Sequence, residues 1–508
     1  MPAILVGISV LVPLLYLLLR AFEADSELSM ELVFRYRNLE LLYNTLLLAL
    51  STLLAGTLIA LPMAWITTRS DIPGRKILTL LGVLPLAIPG YVMAYALLGF
   101  TGANGTVAML FGIDLPRLSG FSGALTAISL YTFPYLYLNF RSALAGLDPS
   151  LEEVSRSLGY RPRVVFFRVV LPQLRPAYYA GALIIFLYVL GDFGAVSLMR
   201  FETFSYAIYL QYAASYDRVY AAWLALMLLT LTSTALVVEY RLLRGLFFHR
   251  IGSGNEKRAN IIPLGHWKWP AYIFVTILVL LSIFLPLSTI LYWMIEAFDA
   301  GQLAGLRQAL SGSAMASAPA ALLASALAVP LAYIGVRHPS RLTRGIERIA
   351  YLGYATPPLA FALSLIFFTL NAAPILYQTL SLLIVAYALH FLAEAIGPVR
   401  SSLYQASPRL EEAARSLGYG RLKAFFLATF PIMRNGLIVS AAFVFMSAMK
   451  ELPITFLLAP VGYETLAVNV WSYTAEAMFA QAAPYALVIL LFSTLFVGLL
   501  FAKEWTSR

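Results

Sequence analysis

Cysteine is absent from the 508 residues, histidine occurs four times, and only 12% of the chain is charged. Without cysteine there can be no disulfide and no thiolate metal site, although this does not fix the compartment. No Gly-x4-Gly-Lys-Ser/Thr run occurs, nor any Gly-Lys pair, so the chain has no phosphate-cradling loop for ATP. Gly-x-Ser-x-Gly is missing as well, and with so few histidines nothing points to a catalytic centre. A soluble protein of this length would carry far more charge.

What the sequence does hold is apolar. Hydrophobic residues make up 61% of the chain and the mean hydropathy is +0.81, which predicts an all-α polytopic membrane protein. Apolar runs that could cross a bilayer lie near 3–22, 41–67, 77–100, 121–140, 176–199 and 219–239. Six more lie near 270–296, 313–336, 347–370, 379–399, 435–459 and 483–502, about twelve helices in all. The first run lacks a basic leader and a small-residue cleavage site and reads as an uncleaved span. Almost nothing precedes it, which leaves a start further upstream open. The polar, basic stretch 241–268, with Gly252, Ser253 and Gly254 at its centre, reads as a cytoplasmic linker between a first half, 1–240, and a second, 269–508. An even number of spans per half makes the repeat parallel rather than inverted. The net charge of +10 is a topology signal and not a nucleic-acid footprint. With both termini cytoplasmic, 27 of the 35 lysines and arginines fall on inside loops.

One stretch occurs twice. DPSLEEVSRSLGYRPRVVFFRVVLP, 148–172, returns 259 residues later as SPRLEEAARSLGYGRLKAFFLATFP, 407–431, a match too long for chance. Asp148 or Ser407 is a suitable helix N-cap, followed by Pro149 or Pro408 at the first helical position. Glu152 and Glu153, or Glu411 and Glu412, suit the positive end of the helix dipole. Leu151, Val154 and Leu158 recur at helical spacing, as do Leu410, Ala413, Ala414 and Leu417. Gly159 and Gly418 supply a left-handed stop.

The pattern resembles the EAA loop of ABC-importer permeases, in which EAA is followed after three residues by Gly and after nine more by I-x-L-P. Here the second copy has Glu412-Ala413-Ala414, Gly418, Ala428, Phe430 and Pro431, and the first Glu153-Val154-Ser155, Gly159, Val169, Leu171 and Pro172. Glu, Gly and Pro keep their spacing while the alanine and isoleucine positions vary. The resemblance implies a type I permease fold and two cytoplasmic loops, each seated on one of two copies of an ABC ATPase. ATP and Mg would then be bound by the ATPase and no cofactor by this chain. Glu152, Glu153, Glu411 and Glu412 are the expected ATPase-coupling carboxylates. Gly159 and Gly418 would permit the turns, and Pro172 and Pro431 would set the angle into the next span. A periplasmic or lipid-anchored binding protein would dock on the outside of a bacterial cytoplasmic (inner) membrane.

Charges within spans are costly unless paired or solvated. Asp192 and Glu451 are equivalent under the 259-residue offset, and Lys450 adjoins one of them. Two readings stand: a polar patch lining or gating the path, or a structural Asp192–Lys450 ion pair. Glu394 and Glu296 read as span-end or interior acids. Around these residues the chain is similar to fused ferric-iron importer permeases, in Leu190-Gly191-Asp192-Phe193-Gly194, Lys450-Glu451-Leu452-Pro453 and the 465–471 run TLAVNVW. The likeness implies import of ferric iron; thiamine, phosphonate or another small solute is the alternative, since their permeases share this architecture. Tyr206, Tyr209, Tyr212, Tyr216 and Tyr220 read as an interfacial aromatic belt, and no metal ligand is assigned. Outside this class, a gradient-driven secondary transporter would use Asp192 and Glu451 as ion sites, and a channel or scaffold would leave the duplicated loop idle.

Overall fold

The structure, a computed structural model, describes residues 2–23, 26–215, 217–243, 261–296 and 302–506. Most of the proposed linker, residues 244–260, and Tyr216 lie outside the described residues. The described chain is helical, with no strand beyond an isolated bridge between Ser70 and Ile262. In the first half the helices used below are α1 (Pro2–Ala21), α2 (Tyr36–Arg69), α3 (Arg75–Val83), α4 (Gly90–Phe100), α5 (Gly120–Gly146), α6 (Pro149–Ser157), α7 (Arg175–Gly191), α8 (Gly194–Leu198) and α9 (Arg218–Leu243). The second half supplies α10 (Leu285–Glu296), α11 (Gln302–Arg337), α12 (Arg341–Ala355), α13 (Pro358–Ala372), α14 (Leu380–His390), α15 (Leu392–Gln405), α16 (Pro408–Ser416), α17 (Phe430–Met449), α18 (Pro453–Leu458) and α19 (Phe479–Thr506).

Seven helical runs are long and apolar enough to cross a membrane, and four bent pairs bring the number to 11. These coincide with eleven of the twelve expected spans. The twelfth, α5, is 27 residues long but carries Ser122, Thr126, Ser129, Thr132, Asn139 and Arg141, and its side chains are largely buried among other helices. Of the four bent pairs, two turn most sharply. The chain turns by 94° between the helical runs Arg75–Ala87 and Gly90–Phe100, and by 106° between α12 and α13. The cause is local: Pro89 and Pro357 lack an N–H and drive the residue before them out of the helical region. Ile88 has ψ 111° and Thr356 ψ 127°.

By packing, the chain forms two compact units that cut across the sequence halves. One consists of residues 1–38, 207–229 and 299–472, the other of 39–206, 230–298 and 473–508. In the first unit α11, α15 and α17 form the centre, and α1 packs on α12 and α13. In the second, α5 packs on α4 and α7, and α10 packs on α4 and α19. Each unit therefore takes the core of one sequence half and the leading helix of the other. Leu151-type loops aside, most exposed large apolar side chains lie on these long helices, as expected of surfaces solvated by lipid.

The last residues of the proposed linker, 261–268, are pinned to the loop after α2. Ile262 N–H donates to Arg69 O at 2.8 Å, Leu264 N–H to Asp71 Oδ1 at 2.9 Å, and Lys268 Nζ lies 2.7 Å from Asp71 Oδ2. The bond from Lys268 and the Leu264 N–H hold the Asp71 carboxyl below the usual carboxylate range. A depressed carboxyl pKa stabilises the folded arrangement above the ordinary value and ceases to do so as pH falls through the folded value. Hydrogen exchange at 261–268 should accordingly speed up in Asp71→Asn at neutral pH. The wild type should approach the variant only on acidification; equal exchange of the two at neutral pH would sink this reading of the clamp.

Candidate functional site

The duplicated stretch forms the same supersecondary unit twice. In the first copy the Asp148 carboxylate accepts the Ser150 N–H at 3.0 Å and Pro149 opens α6. Gly159 then takes φ 84°, with Gly159 N–H donating to Arg156 O at 2.9 Å and Tyr160 N–H to Ser155 O at 3.2 Å. In the second copy Gly418 takes φ 87° after α16. Ser407 keeps the extended N-cap backbone but its hydroxyl takes no capping N–H, unlike the expectation from sequence. A single wide π-turn follows at equivalent places, Phe166–Val170 and Phe425–Thr429. Beyond Pro172 the chain bends by 60°, whereas Pro431 lies in a run from Arg421 to Met449 that has no such break.

The paired glutamates divide their roles. Glu152 is buried and forms an ion pair with the fully buried Arg69 at the end of α2; Arg156 Nη2 lies 3.8 Å away. Glu411 accepts hydrogen bonds from Tyr333 OH, at 2.8 Å, and from Thr429. Glu153 and Glu412 face outward. With them lies an apolar stripe: Leu158 is 71% exposed and Leu417 78%, and Leu151, Val154 and Leu410 are exposed too. Helical spacing alone would predict that these residues are covered. Here the packed face is the one with the inner glutamate, and the apolar face is open.

The duplicated acids are helix caps. Asp192 Oδ1 accepts the N–H groups of Ala195, at 2.9 Å, and Val196, at 3.1 Å, at the start of α8, and Oδ2 accepts Tyr131 OH at 2.9 Å. Glu451 Oε1 accepts Ile454 N–H at 3.0 Å at the start of α18. Ala195 and Ile454 are themselves equivalent under the offset, so both halves interrupt a span at the same place and close the break with an acid. Each acid is half-buried.

Beyond that point the halves differ. Under the same offset Tyr131, Tyr135 and Gly191 become His390, Glu394 and Lys450. Glu394 accepts Ser447 OH at 2.7 Å and interacts electrostatically with Lys450. His390 is buried against the rings of Tyr354, Phe361 and Phe391. From sequence Glu394 reads as a span-end or interior acid; aligning the halves through Arg141 and Arg400 exposes the substitution. Among the described residues no three His, Asp or Glu side chains converge as a metal site.

Among the described residues, membrane-length helices, a loop–helix unit present twice and a broken span capped by an acid in each half are the features of a membrane permease. The chain belongs to the family of binding-protein-dependent transport system inner membrane components, whose pattern it matches at residues 53–303 and 321–503. It is thus a multi-pass protein of an inner-membrane transport family, with the type I permease fold. It is 35% identical over 501 residues to the Fe(3+)-transport system permease protein FbpB 2 of Haemophilus influenzae, covering 98% of this chain and 96% of that one. The ferric transport system permease protein FbpB of Actinobacillus pleuropneumoniae is 24% identical over 476 residues, 88% of this chain and 68% of that protein. The molybdenum transport system permease protein ModB of Escherichia coli is 33% identical over 161 residues, 30% of this chain and 69% of that protein. An inward-facing structure of the MetNI methionine ABC transporter aligns with 44% of this chain and 100% of that chain, at 19% identity and a TM-score of 0.35; the family assignment does not rest on it.

Proposed function

We propose that this chain is the translocation subunit of an ATP-driven importer that moves ferric iron into the cytoplasm by alternating access, with residues 1–240 and 269–508 as its two permease halves. The observation that carries the reading is the coupling helix present twice, each copy displaying an outward glutamate and an open apolar stripe ended by a left-handed glycine. Two such surfaces call for two copies of an ATPase subunit, which would bind ATP and Mg and carry out hydrolysis. Both termini and both coupling helices would then be cytoplasmic, and a periplasmic or lipid-anchored binding protein would deliver cargo from outside. Ferric iron as cargo is supported by the 35% identity, along nearly the whole chain, to a protein named for Fe(3+) transport. A gradient-driven transporter gives no role to the paired stripes.

In this reading Glu153 and Glu412 meet the ATPase, while Glu152 and Glu411 fasten each coupling helix to its own unit. Asp192, Lys450 and Glu451, joined by Glu394, stand at the broken spans that line or gate the path. The test is uptake of radiolabelled ferric iron into proteoliposomes holding the chain, its ATPase and its binding protein, with and without internal ATP and with unlabelled thiamine as competitor. ATP-dependent uptake indifferent to thiamine is expected. ATP hydrolysis without iron entry would remove iron and leave the importer. Burying a leucine is worth about 1.5–3 kcal/mol, so Leu417→Glu should weaken ATPase co-purification by roughly tenfold or more. Undiminished co-purification of Leu158→Glu and Leu417→Glu would count against docking at the stripes.

A further inference from the structure

One helix in each half is tied at both ends to segments that matter. At its inner end α2 holds the first coupling helix through the buried Arg69–Glu152 pair. About 24 residues earlier, some 36 Å at the helical rise, Thr45 Oγ1 accepts the N–H of Phe204 at 3.1 Å, and Asn44 Nδ2 donates to Glu202 O at 3.1 Å. That 202–205 segment returns directly to the broken span, because the Ser205 hydroxyl donates to the carbonyl of Asp192. The second half repeats the arrangement with a different bond at the coupling-helix end. At one end of α11, Tyr333 holds Glu411 of the second coupling helix. At the other, Ser313 Oγ accepts Leu466 N–H at 2.9 Å and Gly312 O accepts Tyr463 OH at 2.6 Å. Asn44 and Thr45 map onto Gly312 and Ser313 at the 268-residue offset that relates Pro62 to Pro330. At the far end the position recurs, with a hydroxyl that accepts a backbone N–H in both halves, whereas at the near end Arg69 has its counterpart in Arg337 and the tie to Glu411 comes from Tyr333, one turn earlier.

We propose that α2 and α11 are struts that carry the movement of each coupling helix to the chain that follows the acid-capped break in the same unit. Arg69 and Tyr333 are the positioning residues at the ATPase end, Thr45 and Ser313 those at the far end. The proposal rests on the importer reading above. A helix is stiff along its axis, and bonds that hold it to a segment at each end make the two segments move together. The inner bond of α2 is the firmer of the two. Arg69 is fully buried with Nε and Nη1 unpartnered, so losing Glu152 would strand a charge away from water. The first strut is thus held by an ion pair and the second by a hydroxyl-to-carboxylate hydrogen bond, and the two coupling helices are unequal levers.

The far-end residues give the cleaner test, because they touch neither coupling helix. The experiment compares the assembled complex of wild type, Thr45→Val, Ser313→Ala and the double variant. It measures hydrogen exchange with and without a non-hydrolysable Mg-ATP analogue, and ferric-iron uptake per ATP hydrolysed. In the wild type, nucleotide should alter exchange at 148–160 and 407–419 and also at 201–206 and 461–466. In the double variant the coupling ends should still respond, the far segments should not, and uptake per ATP should fall about fivefold or more. Far segments that respond as in the wild type, or uptake per ATP that is maintained, overturn the struts and leave the importer standing. If the wild-type chain binds no ATPase, the importer reading falls and takes the struts with it. Arg69→Met with Glu152→Leu supplies a second arm. Removing both charges of a buried pair spares folding, so a folded, ATPase-bound double variant that still couples fully also overturns the proposal.

Discussion

Gly436→Val should abolish most folded protein, with the second unit's counterpart, Ala177, tolerating the same change far better. A Cβ at Gly436 would lie 2.7 Å from the carbonyl oxygen of Pro398 and on top of the Ser402 side chain, where α17 crosses α15. The Ser402 hydroxyl can swing away from its bond to Pro398 O, at 3.1 Å, but the carbonyl belongs to helix backbone and cannot. Overpacking costs about 1–3 kcal/mol where side chains can adjust, and more where backbone must. Gly436→Ala is therefore expected to lower the thermal midpoint in detergent, and Gly436→Val to lower it further. Adding Ser402→Ala should rescue Gly436→Ala only in part, because Pro398 O remains. Full rescue by Ser402→Ala would show that the backbone approach is not limiting. In the first half the equivalents of Gly436, Ser402 and Pro398 are Ala177, Ala143 and Asn139, so the helix crossing recurs but this close contact does not.

That contrast separates what the sequence carries from what it does not. The 259-residue repeat, the caps at Asp148 and Pro149 and the stops at Gly159 and Gly418 rest on local patterns and stand in the elements expected, whereas Asp192 and Glu451, expected inside continuous spans, cap the helices that follow a break. The breaks at Pro89 and Pro357 do not show in the apolar runs, which read as two plain spans, although Ile-Pro-Gly and Thr-Pro-Pro within them argue against a straight helix. Other features depend on partners far along the chain. Which glutamate of each pair turns inward is decided for Glu152 by Arg69, 83 residues earlier. For Glu411 it is decided by Tyr333, 78 residues earlier. Leu158 and Leu417 have helical spacing that cannot say which face is covered. The close approach at Gly436 depends on α15, and glycine in an apolar helix carries no mark of it. The exchange of leading helices between halves is invisible to a repeat, because a duplicated sequence does not say which copy a helix packs against.

Asp192→Ala should remove transport by loosening the broken span, and Asp192→Asn should largely keep it. Alanine leaves the N–H groups of Ala195 and Val196 and the hydroxyl of Tyr131 without their acceptor. At about 1–3 kcal/mol for each group left unsatisfied inside the protein, the loss reaches several kcal/mol. Asparagine keeps an oxygen for the two N–H groups and offers an amide N–H to the Tyr131 oxygen, so the cap survives with its charge removed. The close quarters reinforce this: a Cβ on Gly90 would lie 2.8 Å from Asp192 Oδ2 and 2.8 Å from the Tyr131 ring, so the carboxylate sits in a slot shaped for a group of its size. Uptake by Asp192→Asn within about threefold of wild type is expected, with Glu451→Gln behaving alike because Oε1 needs only to accept Ile454 N–H. ATPase docking should persist in all of these variants, since the coupling helices keep their own anchors. A folded, ATPase-bound Asp192→Asn that moves no iron would instead put the negative charge itself on the path. The cap would then be a second duty of a residue whose first is to meet the cargo.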